Sequence, residues 1–139
     1  MKFGVTLLAD DLGKLGERAR LAEGIGFEYI GVADSQSLFR ELYVSLAVVA
    51  QATNHARIGP TVTNPLTRHP AVTSSAIASI DGLSHGRAFL GIGSGDSAVL
   101  NLNLRPARMS QVKEYVQAVR THLSGDSYSY QGRDTHVRR

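Results

Sequence analysis

The chain has 139 residues, 42% hydrophobic and 19% charged, which suits one domain with a sizeable core and excludes wholesale disorder. It contains no cysteine, which excludes disulfides, thiolate metal centres and cysteine nucleophiles. Its net charge is +3, but the basic residues are scattered and only Arg138 and Arg139 adjoin, so nucleic acid is not an expected partner.

The first element is a strand over Lys2–Leu8 (KFGVTLL). This opening is closed by Asp10 and Asp11 and lacks a small-residue cleavage site, so it does not read as a signal peptide. No apolar run reaches the roughly 18 residues that cross a bilayer; no membrane partner is expected, and a cytoplasmic location is the default. A helix follows from Leu12 to Gly24, with Leu15, Ala19, Ala22 and Ile25 on one face, Asp11 as its cap and Gly24 or Gly26 as its stop. Glu28–Val32 is the second strand, and a second helix over residues 38–53 turns Leu42, Leu46, Val49, Ala50 and Thr53 inward. Arg57–Thr63 is the third strand. The third helix opens on Pro70, where a missing N–H costs nothing, and is expected to bury Val72, Ala76, Ile80 and Leu83. Arg87–Ile92 is the fourth strand. A fourth helix starts near Met109 or Ser110, is expected to bury Val112, Val116, Val119 and Leu123, and stops at Gly125. Ser127–Val137 alternates around a Gln-Gly turn and reads as a small hairpin or a frayed tail.

Strands roughly thirty residues apart with a helix between each pair are the pattern of a parallel sheet. An open doubly wound sheet and the first half of an eight-stranded barrel both fit. Glycine and threonine interrupt every strand (FGVT, YIGV, IGPTVT, FLGIG). Central strands of an open sheet read as unbroken aliphatic runs, so the pattern favours the half-barrel: about four parallel strands with four helices in a single domain over residues 1–139.

Either fold binds ligands at the C-terminal ends of its strands. After strand one, Asp10 and Asp11 read as a solvated acid and a cap. After strand two, Asp34 reads equally as a carboxylate facing a ligand or as a cap. After strand three, residues 60–70 (PTVTNPLTRHP) are stiff and rich in hydrogen-bonding groups, denser than a simple turn needs; Arg68 could pair with an anion, and His69 reads more readily as part of the start of the third helix than as a ligand or base. Strand four runs into Gly91-Ile92-Gly93-Ser94-Gly95-Asp96-Ser97, where glycines let backbone approach a flat ligand and N–H groups and the Ser94 hydroxyl can bind oxygens. It completes neither a GxGxxG nor a Walker sequence, so a tight turn and a small nucleotide-binding module stay open beside it. The histidines lie near helix ends, and no metal site is expected.

Two long segments carry a resemblance. Residues 59–72 (GPTVTNPLTRHPAV) and 83–98 (LSHGRAFLGIGSGDSA) are similar to the bacterial luciferase-like monooxygenase superfamily, in its methylenetetrahydromethanopterin reductase-like branch. The opening Lys2-Phe3-Gly4-Val5, the run Gly26-Phe27-Glu28-Tyr29-Ile30 and the ending from Leu123 to Arg133 agree in the same order. The resemblance implies the N-terminal half of a TIM (β/α)8 barrel. It implies an oxidoreductase that binds FMN or coenzyme F420 over the C-terminal mouth and transfers hydride to or from a small organic substrate, or oxygenates one. It implies a non-prolyl cis peptide at Thr61-Val62 behind the cofactor ring, and places Asn64, Ser94 and Gly95 around that ring. Asp34 matches a position that touches cofactor or substrate, and Asp96 one where some relatives keep an acid for proton transfer. These two are the candidate catalytic residues; Thr61, Val62, Asn64, Ser94 and Gly95 are the candidate cofactor-binding residues.

One departure is local. Some F420-dependent dehydrogenases carry a histidine directly after the strand-two aspartate, and this chain has Ser35, so sugar-phosphate oxidation with a histidine base is not expected. The second is length, since the family barrel continues through strands five to eight, whose loops hold the cofactor's phosphate tail. A half-barrel exposes a sheet edge at strand one and another at strand four. A homo-oligomer that covers those edges is therefore expected, either as part of an active enzyme or as a non-catalytic assembly unit.

Overall fold

In the computed structural model, which describes residues 1–137, three short parallel strands lie side by side in chain order: β1 (Gly4–Leu7), β2 (Tyr29–Val32) and β3 (Arg57–Pro60). Thr6 pairs with Gly31, and Gly31 with Gly59. The expected fourth strand is not continuous. Residues 87–92 join the sheet through two parallel bridges, Ile58 with Ala88 and Thr63 with Ile92. The register slips by one residue between the bridges, so the strand-three side bulges around Pro60, Thr61 and Val62. Pro60 has no N–H to give to a ladder. The Thr61–Val62 peptide is cis, as the resemblance implies.

Helix α1 (Leu12–Gly24) has the bounds its sequence suggests, with the Asp11 carboxylate accepting from the Gly13 N–H at 2.9 Å. Helix α2 (Leu42–Ala52) starts four residues later than its periodicity indicates, because Glu41 caps it by accepting from the Tyr43 and Val44 N–H groups at 2.7 and 2.9 Å. Helix α3 (Pro70–Leu83) opens on proline as expected, and a one-turn helix α4 (Ser97–Leu100) was not anticipated. Helix α5 (Met109–Ser124) stops at Gly125. Strands β4 (Tyr128–Tyr130) and β5 (Arg133–Thr135) form the antiparallel hairpin, turning at Gln131 and Gly132.

The inward faces of α3 and α5 differ from the periodic reading. Val72, Leu83 and Leu123 are exposed; α3 instead buries Thr73, Ser74 and Ile77 beside Ile80, and α5 buries Tyr115 and Ala118 beside Val112 and Val119. Small polar residues make this interface: the Thr73 and Tyr115 hydroxyls share a hydrogen bond at 2.5 Å. Counting only apolar positions turns such a face outward.

The strands advance in one direction with no reversal, so right-handed crossovers put the helices on one face. Accordingly α1 packs on α2, α2 on α3, and α3 on α5. This is the arrangement of half a barrel, not of a sheet covered on both sides. Leu15, Ala19, Leu46 and Val49 bury against Ile30, Val32 and Ile58 to form the main core. On the other, concave face the Thr6 and Thr61 hydroxyls share a hydrogen bond at 3.0 Å across β2. They meet because residue 31 is glycine; a Cβ there would overlap the Thr61 side chain. Among the described residues no helix is long and apolar enough to cross a membrane.

At the end where the strands begin, two charges hold the α2–β3 connection. The Glu23 carboxylate accepts from the N–H groups of Asn54, His55 and Ala56 at 2.7–3.0 Å. The Arg87 guanidinium donates to the carbonyls of Ala50, Thr53, Ala56 and Ser84 and to the Thr53 hydroxyl, at 2.7–3.1 Å.

Candidate functional site

The opposite end of the sheet holds a cavity of about 360 Å³, a volume normal for a small-molecule site. Asp34, Thr61, Val62, Asn64, Ser94, Gly95 and Asp96 all line it, joined by Ser35 and Phe39 from the β2–α2 loop and by Gly93 and Ser97. Three separate strand ends thus bring together every candidate site residue named from the sequence.

Their chemistry differs. The Asp34 side chain is 2% exposed and fully engaged. Its carboxylate accepts from the Arg68 guanidinium at 2.6 and 3.3 Å and from the Thr63 hydroxyl at 2.7 Å. Arg68 also donates to Glu41 at 2.9 Å, so one guanidinium joins the carboxylate at the end of β2 to the carboxylate that caps α2. Burial works to lower the Arg68 pKa, and the two carboxylates outweigh it, holding the group above its ordinary value. The guanidinium lies 5.3 Å from the centroid of the Tyr43 ring, a cation–π distance. Burial pushes the Tyr43 hydroxyl up to about 12, so this ring stays neutral.

Asn64 is buried, and its side-chain oxygen accepts from the Leu66 and Thr67 N–H groups at 2.9 and 3.0 Å, shaping the loop that delivers Arg68. His69 Nδ1 accepts from the Ala71 N–H at 3.2 Å, which makes it the cap of α3. Val62 is 49% exposed on the cavity side of the bulge. Gly91 and Gly93 back this bulge: a Cβ at 93 would stand 2.8 Å from the Val62 side chain, and one at 91 would stand 2.5 Å from the Pro60 carbonyl. Close approach is indeed what these glycines permit, and the surface that approaches them is the chain's own β3 bulge. Gly95 has φ +101°, and a Cβ there would overlap Val99.

Asp96 is the contrast to Asp34. It is exposed at the start of α4, and its side chain makes no cap hydrogen bond. The arrangement therefore offers a buried carboxylate paired with Arg68, an open carboxylate, a hydroxyl at Ser94 and a half-exposed aliphatic surface at Val62. Sequence reasoning missed Phe39, which lines the cavity, and Glu41, which holds Arg68; both lie in the β2–α2 loop, in a stretch whose periodicity reads as the start of the second helix.

The model of the family described as "Luciferase-like monooxygenase" matches residues 1–139. The chain belongs to this family. The 5,10-methylenetetrahydromethanopterin reductase of Methanolobus tindarius is 35% identical over 135 residues, covering 95% of this chain and 41% of that protein. The structure of the coenzyme F420 dependent tetrahydromethanopterin reductase from Methanopyrus kandleri superposes with a TM-score of 0.86 at 29% identity, over 98% of this chain and 44% of that one. The oxygenating constituent of 3,6-diketocamphane monooxygenase from Pseudomonas putida, in complex with FMN, shares the fold at a TM-score of 0.81 and 18% identity, over 100% of this chain and 44% of that one. This luciferase-like monooxygenase family chain thus spans about two fifths of the length of the curated relative it matches.

Proposed function

We propose that the chain is the ring-binding half of an oxidoreductase that uses coenzyme F420, with FMN as the alternative, and that the reaction is hydride transfer with a small organic substrate. The observation that carries this reading is the cavity floor. Val62 offers a half-exposed aliphatic surface between two loops that supply hydrogen-bonding groups, and the glycine at 93 lets that side chain pack directly on the backbone of the strand-four segment. A planar heterocycle with an apolar face and polar edges suits such a floor. F420 is preferred because it is named for the Methanopyrus kandleri reductase, the more similar of the two structures, whereas FMN is named for one that shares the fold at lower identity.

In this reading Thr61 and Val62 back the ring, and Asn64, Ser94 and Gly95 surround it. F420 supplies a ring that gives or accepts a hydride; the protein supplies orientation and charge. Asp34, bonded by Arg68 and Thr63, would place a buried, paired carboxylate beside the ring. Asp96, free at the mouth, exchanges the proton that hydride transfer to or from an organic substrate requires. The test is titration of F420 and of FMN into the purified chain, followed by cofactor fluorescence. Saturable binding that Val62→Asp abolishes is expected, and no binding of either cofactor overturns the reading.

We infer further that the chain self-associates. β1 lies at one edge of the sheet and the segment 87–92 at the other, and Phe3 is 60% exposed. Two copies that pair these edges would close an eight-stranded ring. Light scattering that finds a stable monomer overturns this. The same edges favour a second reading, a non-catalytic assembly unit, which predicts self-association without cofactor binding.

A further inference from the structure

Asp96 stands on a support too short to hold itself. Helix α4 has four residues, far below the length at which a helix is stable alone. Its neighbouring carbonyls are taken by backbone: Asp96 by the N–H groups of Val99 and Leu100, Ser97 by Asn101, Val99 by Leu102 and Leu104, and Leu100 by Asn103. The Ala98 carbonyl, on a buried residue, is taken by a side chain from another loop: Gln36 Nε2 donates to it at 2.7 Å. Beside this bond the Ser97 hydroxyl donates to the hydroxyl of buried Ser35 at 2.9 Å. Ser35 and Gln36 directly follow Asp34, so the two bonds fasten the Asp96 turn to the strand end that carries the buried carboxylate.

We propose that Ser35 and Gln36 are positioning residues for Asp96: a two-bond side-chain bridge sets the distance between the open acid and the fixed charge of Asp34. This rests on the role given to Asp96 above. The position after the strand-two aspartate, a candidate for acid–base chemistry if it held histidine, serves here as a structural tie.

Amide hydrogen exchange on the chain tests the bridge, with F420 titration run in parallel. Gln36→Met keeps the side chain's shape and removes its donor. It is expected to speed exchange at the Val99 and Leu100 amides about tenfold, the scale of one hydrogen bond, while Phe89 and Gly93 amides hold their rates and F420 affinity stays within about twofold. Gln36→Lys, which restores a donor of similar reach, is expected to bring exchange back toward wild type. Ser97→Ala is expected to act in the same direction as Gln36→Met and serves if the first variant does not fold. Unchanged exchange at Val99 and Leu100, a rise spread evenly over the sheet, or no recovery with lysine would each overturn the bridge. Failure of the wild-type chain to bind F420 would overturn the proposed function and leave the exchange result to decide the bridge alone.

Discussion

The two ends of the sheet use charge in opposite ways. Where the strands begin, Glu23 and Arg87 spend their hydrogen bonds on the chain itself, one taking three N–H groups and the other giving to four carbonyls. Where the strands finish, Arg68 is held by two side chains, Asp34 and Glu41, and Asp96 is left open to solvent. Charges bonded to backbone weld loops that need not change. Charges bonded to side chains can be tuned one residue at a time, and that is the end at which barrel enzymes keep their chemistry.

The sharpest way to break this contrast is Arg68→Met. It strands a carboxylate that is 2% exposed, and removing one partner of a buried pair costs about 3–5 kcal/mol. Urea unfolding should show that loss, and Asp34→Asn added to the same chain should recover part of it. Arg87→Met comes next, at about 3 kcal/mol, because it deprives several carbonyls of their donor at once. The pair separates the two ends: Arg68→Met should also weaken F420 binding by the folded protein, whereas Arg87→Met should leave that affinity alone.

Glu23 gives a smaller effect with a pH signature. Burial works against its charge, and the N–H groups of Ala56, His55 and Asn54 outweigh it, holding the carboxyl below its ordinary value. A folded pKa below the unfolded one contributes stability above the unfolded carboxylate range, and that contribution is lost as pH falls through the folded value. Glu23→Gln keeps one acceptor oxygen, so it should cost about 1 kcal/mol at neutral pH. The gap from wild type should close in acid unfolding curves below about pH 4.

Much of this arrangement was legible before any coordinates, for definite reasons. Asp11, Pro70 and Gly125 punctuate helices by local rules, and Gln131-Gly132 turns a hairpin by another. The glycine and threonine interruptions that favoured a barrel have their reason in Gly31, over which Thr6 and Thr61 meet. The faces of α3 and α5 were not legible, because the buried Thr73 and Tyr115 hydroxyls satisfy each other, a pairing no single helix reveals, and the buried Ser74 hydroxyl is satisfied by the Pro70 carbonyl of its own helix. The broken fourth strand was hidden for a similar cause: the extra residue lies in the β3 bulge, and residues 87–92 read by themselves as an unbroken strand. The cavity residues could be named because strand ends converge in this fold, but the engagement of Asp34 by Arg68 joins loops 34 residues apart.

The smallest stability effect carries the most functional weight. Asp96 is exposed and its carboxylate caps nothing, so Asp96→Asn should shift the unfolding free energy by less than about 0.5 kcal/mol. The ring sits on Val62 in the proposed function, so F420 affinity should hold within about twofold. Asparagine has nearly the same shape and cannot exchange a proton. The rate of F420 reduction, with any substrate the wild-type chain turns over, should therefore fall about 10²-fold or more. Loss of stability would mean that the carboxylate supports the turn and not the reaction. An unchanged rate would move the proton to another group at this end of the sheet, with the Ser94 hydroxyl the next to test.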